Sequence, residues 1–127
     1  MSVIGLGTDI VAVARMAALL DRHGERFLAR CFSPEERERI AAAPPAERPA
    51  VAAARWAAKE AFLKALGGPI GHIGYRQVAV GSDLDGAPRL VLDGAAADAL
   101  GHRGGRHALV SLSHEREYAV ATVIIAG

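Results

Sequence analysis

One cysteine, one tryptophan, two tyrosines and three phenylalanines are all that 127 positions contain. A lone Cys31 excludes an intramolecular disulfide and a cysteine-based structural zinc site. With so few aromatics and abundant alanine, the core must be assembled from small and aliphatic side chains. That leaves less buried area per residue than usual and makes association between copies an attractive source of further burial. No apolar run approaches the roughly 20 residues of a membrane-spanning helix. Met1 to Leu6 is too short and lacks the basic flank of a secretory signal, so the expected location is the cytoplasm. A formal net charge of +1 gives no global reason to expect nucleic acid or an anionic membrane as partner. What is present, 51% hydrophobic and 23% charged residues, suits a folded globular chain rather than a disordered one. The length fits one domain spanning residues 1–127, large enough to bury roughly two-thirds of its unfolded surface.

Periodicity supplies the elements. Ser2 to Gly7 reads as a first strand buried on both faces, with Thr8 and Asp9 at its end. Val13, Met16, Leu19 and Leu20 recur at helical spacing, Gly24 marks a stop, and Phe27, Leu28 and Cys31 continue the stripe in a shorter piece. Ser33-Pro34-Glu35-Glu36 is a capping box with proline at the first helical position, and Pro44-Pro45 ends that helix. Pro49 opens a long helix running to Leu66, with Gly67-Gly68 as a left-handed exit. After a glycine-rich loop the period changes. Gln77 to Val80 and Arg89 to Leu92 read as strands around an Asp83-Leu84-Asp85-Gly86 turn. Ala95 to Leu100 is a short helix with Asp93 available as its cap, and Ala108 to Leu112 with Tyr118 to Ile125 suggest a hairpin. The order predicts an α+β fold, a compact sandwich of helices on an antiparallel-rich β-sheet.

The densest chemistry lies in Arg55-Trp56-Ala57-Ala58-Lys59-Glu60-Ala61-Phe62-Leu63-Lys64. Glu60 and Lys64 are one helical turn apart and share a face, as do Arg55 and Lys59, while Trp56, Leu63 and Leu66 mark the buried side. Solvated ion pairs on an amphipathic helix account for that spacing without any catalytic role. Asp9, held at a strand end, either caps the following helix or carries function. Asp9 and Glu60 together would supply the one or two carboxylates that Mg²⁺ takes alongside phosphate oxygens. Spacing alone leaves those alternatives open. Farther upstream, Arg15, Arg22, Arg26 and Arg30 outnumber Asp21 and Glu25, giving a basic helical face.

Gly5-Leu6-Gly7-Thr8-Asp9-Ile10-Val11 and Arg55-Trp56-Ala57-Ala58-Lys59-Glu60-Ala61 with Lys64-Ala65-Leu66-Gly67 resemble the two signature motifs of the holo-acyl-carrier-protein synthases, the short trimeric type of 4′-phosphopantetheinyl transferase. Phe32 with the capped helix behind it, Val110 to His114 and Tyr118 to Ala121 extend the resemblance over essentially the whole chain. It implies transfer of the 4′-phosphopantetheine arm of coenzyme A to a serine of apo-acyl carrier protein in fatty acid biosynthesis, releasing adenosine 3′,5′-bisphosphate. It implies Asp9 and Glu60 as Mg²⁺ ligands, and Lys59 and Lys64 near the phosphates. Arg55, Gly67 and His114 match positions near the nucleotide, and Glu60, Lys64 and Asp9 form the catalytic set. Arg15 matches a position on the carrier-docking helix, a surface that Arg22, Arg26 and Arg30 extend. It further implies a homotrimer with each active site between neighbouring subunits.

Several positions depart from the common pattern. Trp56 stands where phenylalanine is usual, Gly68-Pro69 where Thr-Gly is frequent, and Ala87 where a lysine is common. His72, His102 and His107 have no mutual spacing that suggests a transition-metal site, and Ser111 and Ser113 lack a nucleophile elbow. The loop after the long helix lacks the Gly-Lys-Ser/Thr ending of a P-loop. Two other readings fit the same fold: a non-catalytic carrier-binding scaffold, which needs no acid–acid–lysine set, and a Mg²⁺-dependent pyrophosphohydrolase, which needs no arginine face.

Overall fold

The computed structural model describes residues 1–68 and 71–127. The Pro69 departure lies outside them. Strand β1 (Val3–Ala12) leads into helix α1 (Val13–Cys31), followed by α2 (Pro34–Ala42) and α3 (Arg48–Ala65). Strands β2 (Val78–Ser82) and β3 (Pro88–Leu92) form a hairpin; α4 (Gly94–His102), β4 (His107–His114) and β5 (Tyr118–Ala126) complete the chain. The pairing is antiparallel throughout, in a three-stranded sheet of order β1-β5-β4 and a separate two-stranded sheet β2-β3. The α+β expectation holds, with the strands divided between two sheets rather than gathered in one.

The first strand corrects its expected form. It runs to Ala12, pairing Asp9 with Ala121 and Ala12 with Tyr118, so Asp9 sits inside the strand. It is also buried on one face only. Gly7 and Val11 are buried, whereas Leu6 and Ile10 are 64% and 65% exposed. Side chains alternate along a strand, so Asp9 shares the inward face with Gly5, Gly7 and Val11. That inward face lies directly on α3. A Cβ on Gly5 would overlap the Ala65 carbonyl oxygen, and one on Gly7 would overlap the Ala61 carbonyl and come within 2.6 Å of the Ala65 nitrogen. The two glycines therefore let strand and helix backbones touch. Alanine does the same from the other side: Ala52, Ala53, Ala54, Ala57, Ala58, Ala61 and Ala65 are all buried in α3. Few large side chains are needed because the layers approach so closely.

Helix α1 carries non-helical torsions at Gly24 (φ 47°, ψ −124°), and Phe27, Leu28 and Cys31 lie on the second arm. The capping box at Ser33 forms as expected: the Glu36 amide donates to Ser33 Oγ, and Glu36 Oε1 accepts from the Ser33 amide. At the other end of α3, Gly67 (φ 104°) takes the left-handed exit. Its amide donates to Lys64 O and that of Gly68 to Leu63 O, a Schellman pair that fixes the last helical turn.

Candidate active site

The close contact between β1 and α3 joins residues 55 positions apart. The ammonium of Lys64 donates to Asp9 Oδ1 at 2.9 Å and to the Thr8 carbonyl oxygen at 3.0 Å. The Asp9 side chain is 17% exposed and that of Lys64 54%, so the pair stands at an open rim. Its worth to stability is small, about 0–1 kcal/mol. One turn earlier on α3, half-buried Glu60 does not pair with Lys64 as helical spacing allowed. Its Oε1 accepts instead from the Tyr75 hydroxyl at 2.9 Å. Tyr75 lies in a 3₁₀ turn, Tyr75–Gln77, that opens the β2-β3 hairpin. Burial, then the hydrogen bond and charge of Glu60, push the Tyr75 phenol up to about 12, so it stays a donor across the physiological range. Its ring stacks on Trp56 with centroids 4.5 Å apart, and Trp56 meets Phe27 at 5.6 Å. The larger aromatic at position 56 thus fills a half-buried stack rather than the deepest core.

Lys59, expected near the phosphates, points into the core of the chain. Its side chain is completely buried, and its ammonium donates to Glu36 Oε1 at 2.7 Å, Val78 O at 2.7 Å and Tyr75 O at 3.0 Å. An ammonium has three protons, and all three are taken. Burial pulls the Lys59 pKa below the ordinary lysine value, with the Glu36 carboxylate opposing that fall. Glu36 is itself fully buried and also accepts from the Val80 amide at 3.0 Å. The pair ties α2, α3 and the start of β2 together beneath the site. Cys31 is buried close by, its thiol raised by burial against the opposing charges of Arg30 and Lys59.

The other expected residues are spread around this centre. Arg55 is half-buried, with Nη1 donating to Val51 O at 3.4 Å and Nε lacking a partner among the described residues. Burial lowers the Arg55 pKa, opposed by Glu36. Gly67 acts through the helix exit described above. His114 ends β4, exposed, with Ala119 and then Val11 as successive cross-strand neighbours. Two strand spacings, about 10 Å, separate it from β1 within one chain. Arg15, Arg22, Arg26 and Arg30 are all exposed on α1, on both sides of Gly24. Arg26 and Arg30, with His23 and Phe27, line a groove of about 350 Å³. His23, Tyr75 and the second role of Glu36 were not singled out by sequence. A capping box announces Glu36 only as a cap, and nothing in the spacing ties Tyr75 to Glu60.

No group of three or more His, Cys, Asp or Glu side chains suited to a metal gathers among the described residues. The donors at hand are two carboxylates, Asp9 and Glu60, on adjoining backbones. Hard oxygen ligands in that number suit Mg²⁺, which keeps waters and substrate phosphates in its remaining positions.

The family model described as the 4′-phosphopantetheinyl transferase superfamily matches residues 5–123. The holo-[acyl-carrier-protein] synthase of Halorhodospira halophila is 47% identical over 97% of each chain. The crystal structure of the synthase from Neisseria meningitidis superposes with a TM-score of 0.88 at 32% identity, covering 99% of this chain and 100% of that one. That of Helicobacter pylori, in complex with coenzyme A, gives 0.82 at 26% identity over 95% and 99%. A match that begins at the glycines of β1 and runs into the last strand encompasses both halves of the site, and the chain belongs to the 4′-phosphopantetheinyl transferase superfamily.

Proposed function

We propose that this chain is a holo-acyl-carrier-protein synthase that transfers the 4′-phosphopantetheine arm of coenzyme A to a serine of apo-acyl carrier protein in fatty acid biosynthesis. The observation that carries the reading is the junction of the two motifs, where Asp9 of β1 meets Lys64 of α3 at 2.9 Å, one helical turn from Glu60. In this reading the serine hydroxyl attacks the β-phosphorus of coenzyme A, a new Oγ–P bond forms, and the bridging oxygen departs with adenosine 3′,5′-bisphosphate. Asp9 and Glu60 would hold a Mg²⁺ ion, whose charge lowers the repulsion between the pyrophosphate and the nucleophile. Lys64, on a turn locked by the Schellman pair, sits at the open rim and stabilises charge on the bridging and leaving oxygens. The serine proton passes to Glu60 or to a water beside it. Lys59 does not serve the phosphates directly; it holds the floor from which Glu60 and Tyr75 project.

The arginines of α1 fit an acidic carrier protein, which they would steer and pair with. The outer face of the three-stranded sheet supports the trimer. Its register sets Leu6, Ile124 and Leu109 in one row, Thr8, Thr122 and Ser111 in the next, and Ile10, Val120 and Ser113 in a third. Leu6, Ile10, Leu109, Tyr118 and Val120 are exposed in a single chain. A face of that kind marks an interaction surface, and it lies one strand thickness from Asp9. No helix among the described residues is long and apolar enough to cross a membrane, and cytoplasmic placement suits a partner carrying fatty acyl intermediates.

The test is purified protein with apo-carrier, coenzyme A and Mg²⁺, followed by intact mass of the carrier. Gain of the phosphopantetheine mass is expected, and Asp9→Ala or Glu60→Ala should abolish it in folded protein. No gain with intact coenzyme A would favour the scaffold, and coenzyme A cleavage without carrier the hydrolase.

A further inference from the structure

We infer that Tyr75 is a positioning residue for the metal-binding carboxylate: its hydroxyl clamps Glu60 Oε1 and leaves Oε2 to the divalent cation. This rests on the reading of Glu60 as a ligand. The geometry is specific. A phenol donating at 2.9 Å fixes the carboxylate plane of Glu60, which would otherwise rotate freely at a half-exposed site. The phenol is in turn held at both ends. Its ring lies on Trp56 at 4.5 Å, and its own backbone carbonyl receives the Lys59 ammonium at 3.0 Å. Lys59 is anchored by Glu36, itself fixed by the Ser33 and Val80 amides. Hydrogen bonds joined through the body of Tyr75, from its backbone carbonyl to its phenol, therefore link the capping box of α2 to the Glu60 carboxylate. This explains what a fully buried ion pair does beneath an open site: it places the turn that carries Tyr75. Carboxylates that bind metals are themselves commonly oriented by a hydrogen-bond donor, and loss of such a donor weakens metal binding about 10–100-fold.

The experiment measures Mn²⁺ binding by electron paramagnetic resonance in the protein with coenzyme A, for wild type, Tyr75→Phe and Glu60→Gln. Tyr75→Phe keeps the ring and its stacking and deletes only the donor. Its apparent dissociation constant for Mn²⁺ should rise about tenfold, while the transfer rate at saturating metal returns to within roughly twofold of wild type. Unchanged or tighter Mn²⁺ binding in Tyr75→Phe, with Glu60→Gln weakened, overturns the positioning role and leaves Glu60 a ligand. A Tyr75→Phe rate that stays low at saturating metal overturns it too. Mn²⁺ binding unaffected in Glu60→Gln would remove the ligand assignment and the inference together.

Discussion

Replacing Lys59 by methionine separates the structural role of this lysine from the phosphate contact that its motif suggests. The substitution conserves most of the side-chain volume and removes a charge that is completely buried. It leaves the Glu36 carboxylate in the core with only the Ser33 and Val80 amides, and strips the Tyr75 and Val78 carbonyls of a donor. Removing one member of a buried pair costs about 3–5 kcal/mol, a large share of the roughly 5–15 kcal/mol that stabilises a domain. At about 3–5 °C per kcal/mol for a chain of this length, the melting temperature should fall by roughly 10–20 °C. Thermal unfolding measures that fall and urea unfolding the free-energy loss, both at fixed protein concentration, with Trp56, the sole tryptophan, reporting from the stack on Tyr75. The double variant Glu36→Gln/Lys59→Met removes both charges but keeps only one of the two acceptor oxygens, turning the side-chain NH2 towards the Ser33 or Val80 amide, so it should regain only part of the loss. A Lys59→Met protein less than about 1 kcal/mol below wild type, but with weakened coenzyme A binding, would refute the tether and restore the phosphate contact.

Gly7→Ala should force β1 off α3 at a cost of about 1–3 kcal/mol and part Asp9 from Lys64. Calorimetry and the transfer assay should both register it, and an unperturbed variant would contradict the backbone contact. Ile10→Glu places a charge in the middle of the exposed sheet face and should yield monomers in sedimentation velocity; retained oligomers would place the interface elsewhere. In alkaline titration followed at 295 nm, Tyr75 should ionise near 12, and Tyr75→Phe should delete that late phase. Because the folded value lies above the ordinary value of 10, this contribution to stability is complete below about pH 10 and is lost as pH rises towards 12. Arg15→Glu should weaken carrier binding far more than coenzyme A binding, as read by calorimetric titration of each; equal losses would count against the docking face.

The two motifs were legible because they are dense, and the helices because they carry local punctuation. Ser33-Pro34 and Gly67-Gly68 act within a few residues, and the structure reproduces both the capping box and the left-handed exit. What escaped depends on neighbours distant in sequence. The first strand, read as Ser2 to Gly7, looks fully buried because Val3, Ile4 and Leu6 are apolar, yet its outer residues face away from α3. An apolar residue destined for a subunit contact and one destined for the core look alike in sequence. The same blindness governs the charges. Helical spacing offers Glu60 and Lys64 to each other, but β1 brings a carboxylate to Lys64 and the hairpin brings a phenol to Glu60. Lys59 is the sharpest case. It sits in the motif beside Glu60, but successive residues on a helix point about 100° apart. With Glu60 turned towards the rim, Lys59 points inward, where an ammonium survives only if a carboxylate and carbonyls surround it. Glu36 meets that demand from 23 residues away. Adjacency in a motif therefore leaves each residue's surroundings open, and helix geometry decides which of them faces the rim and which the core.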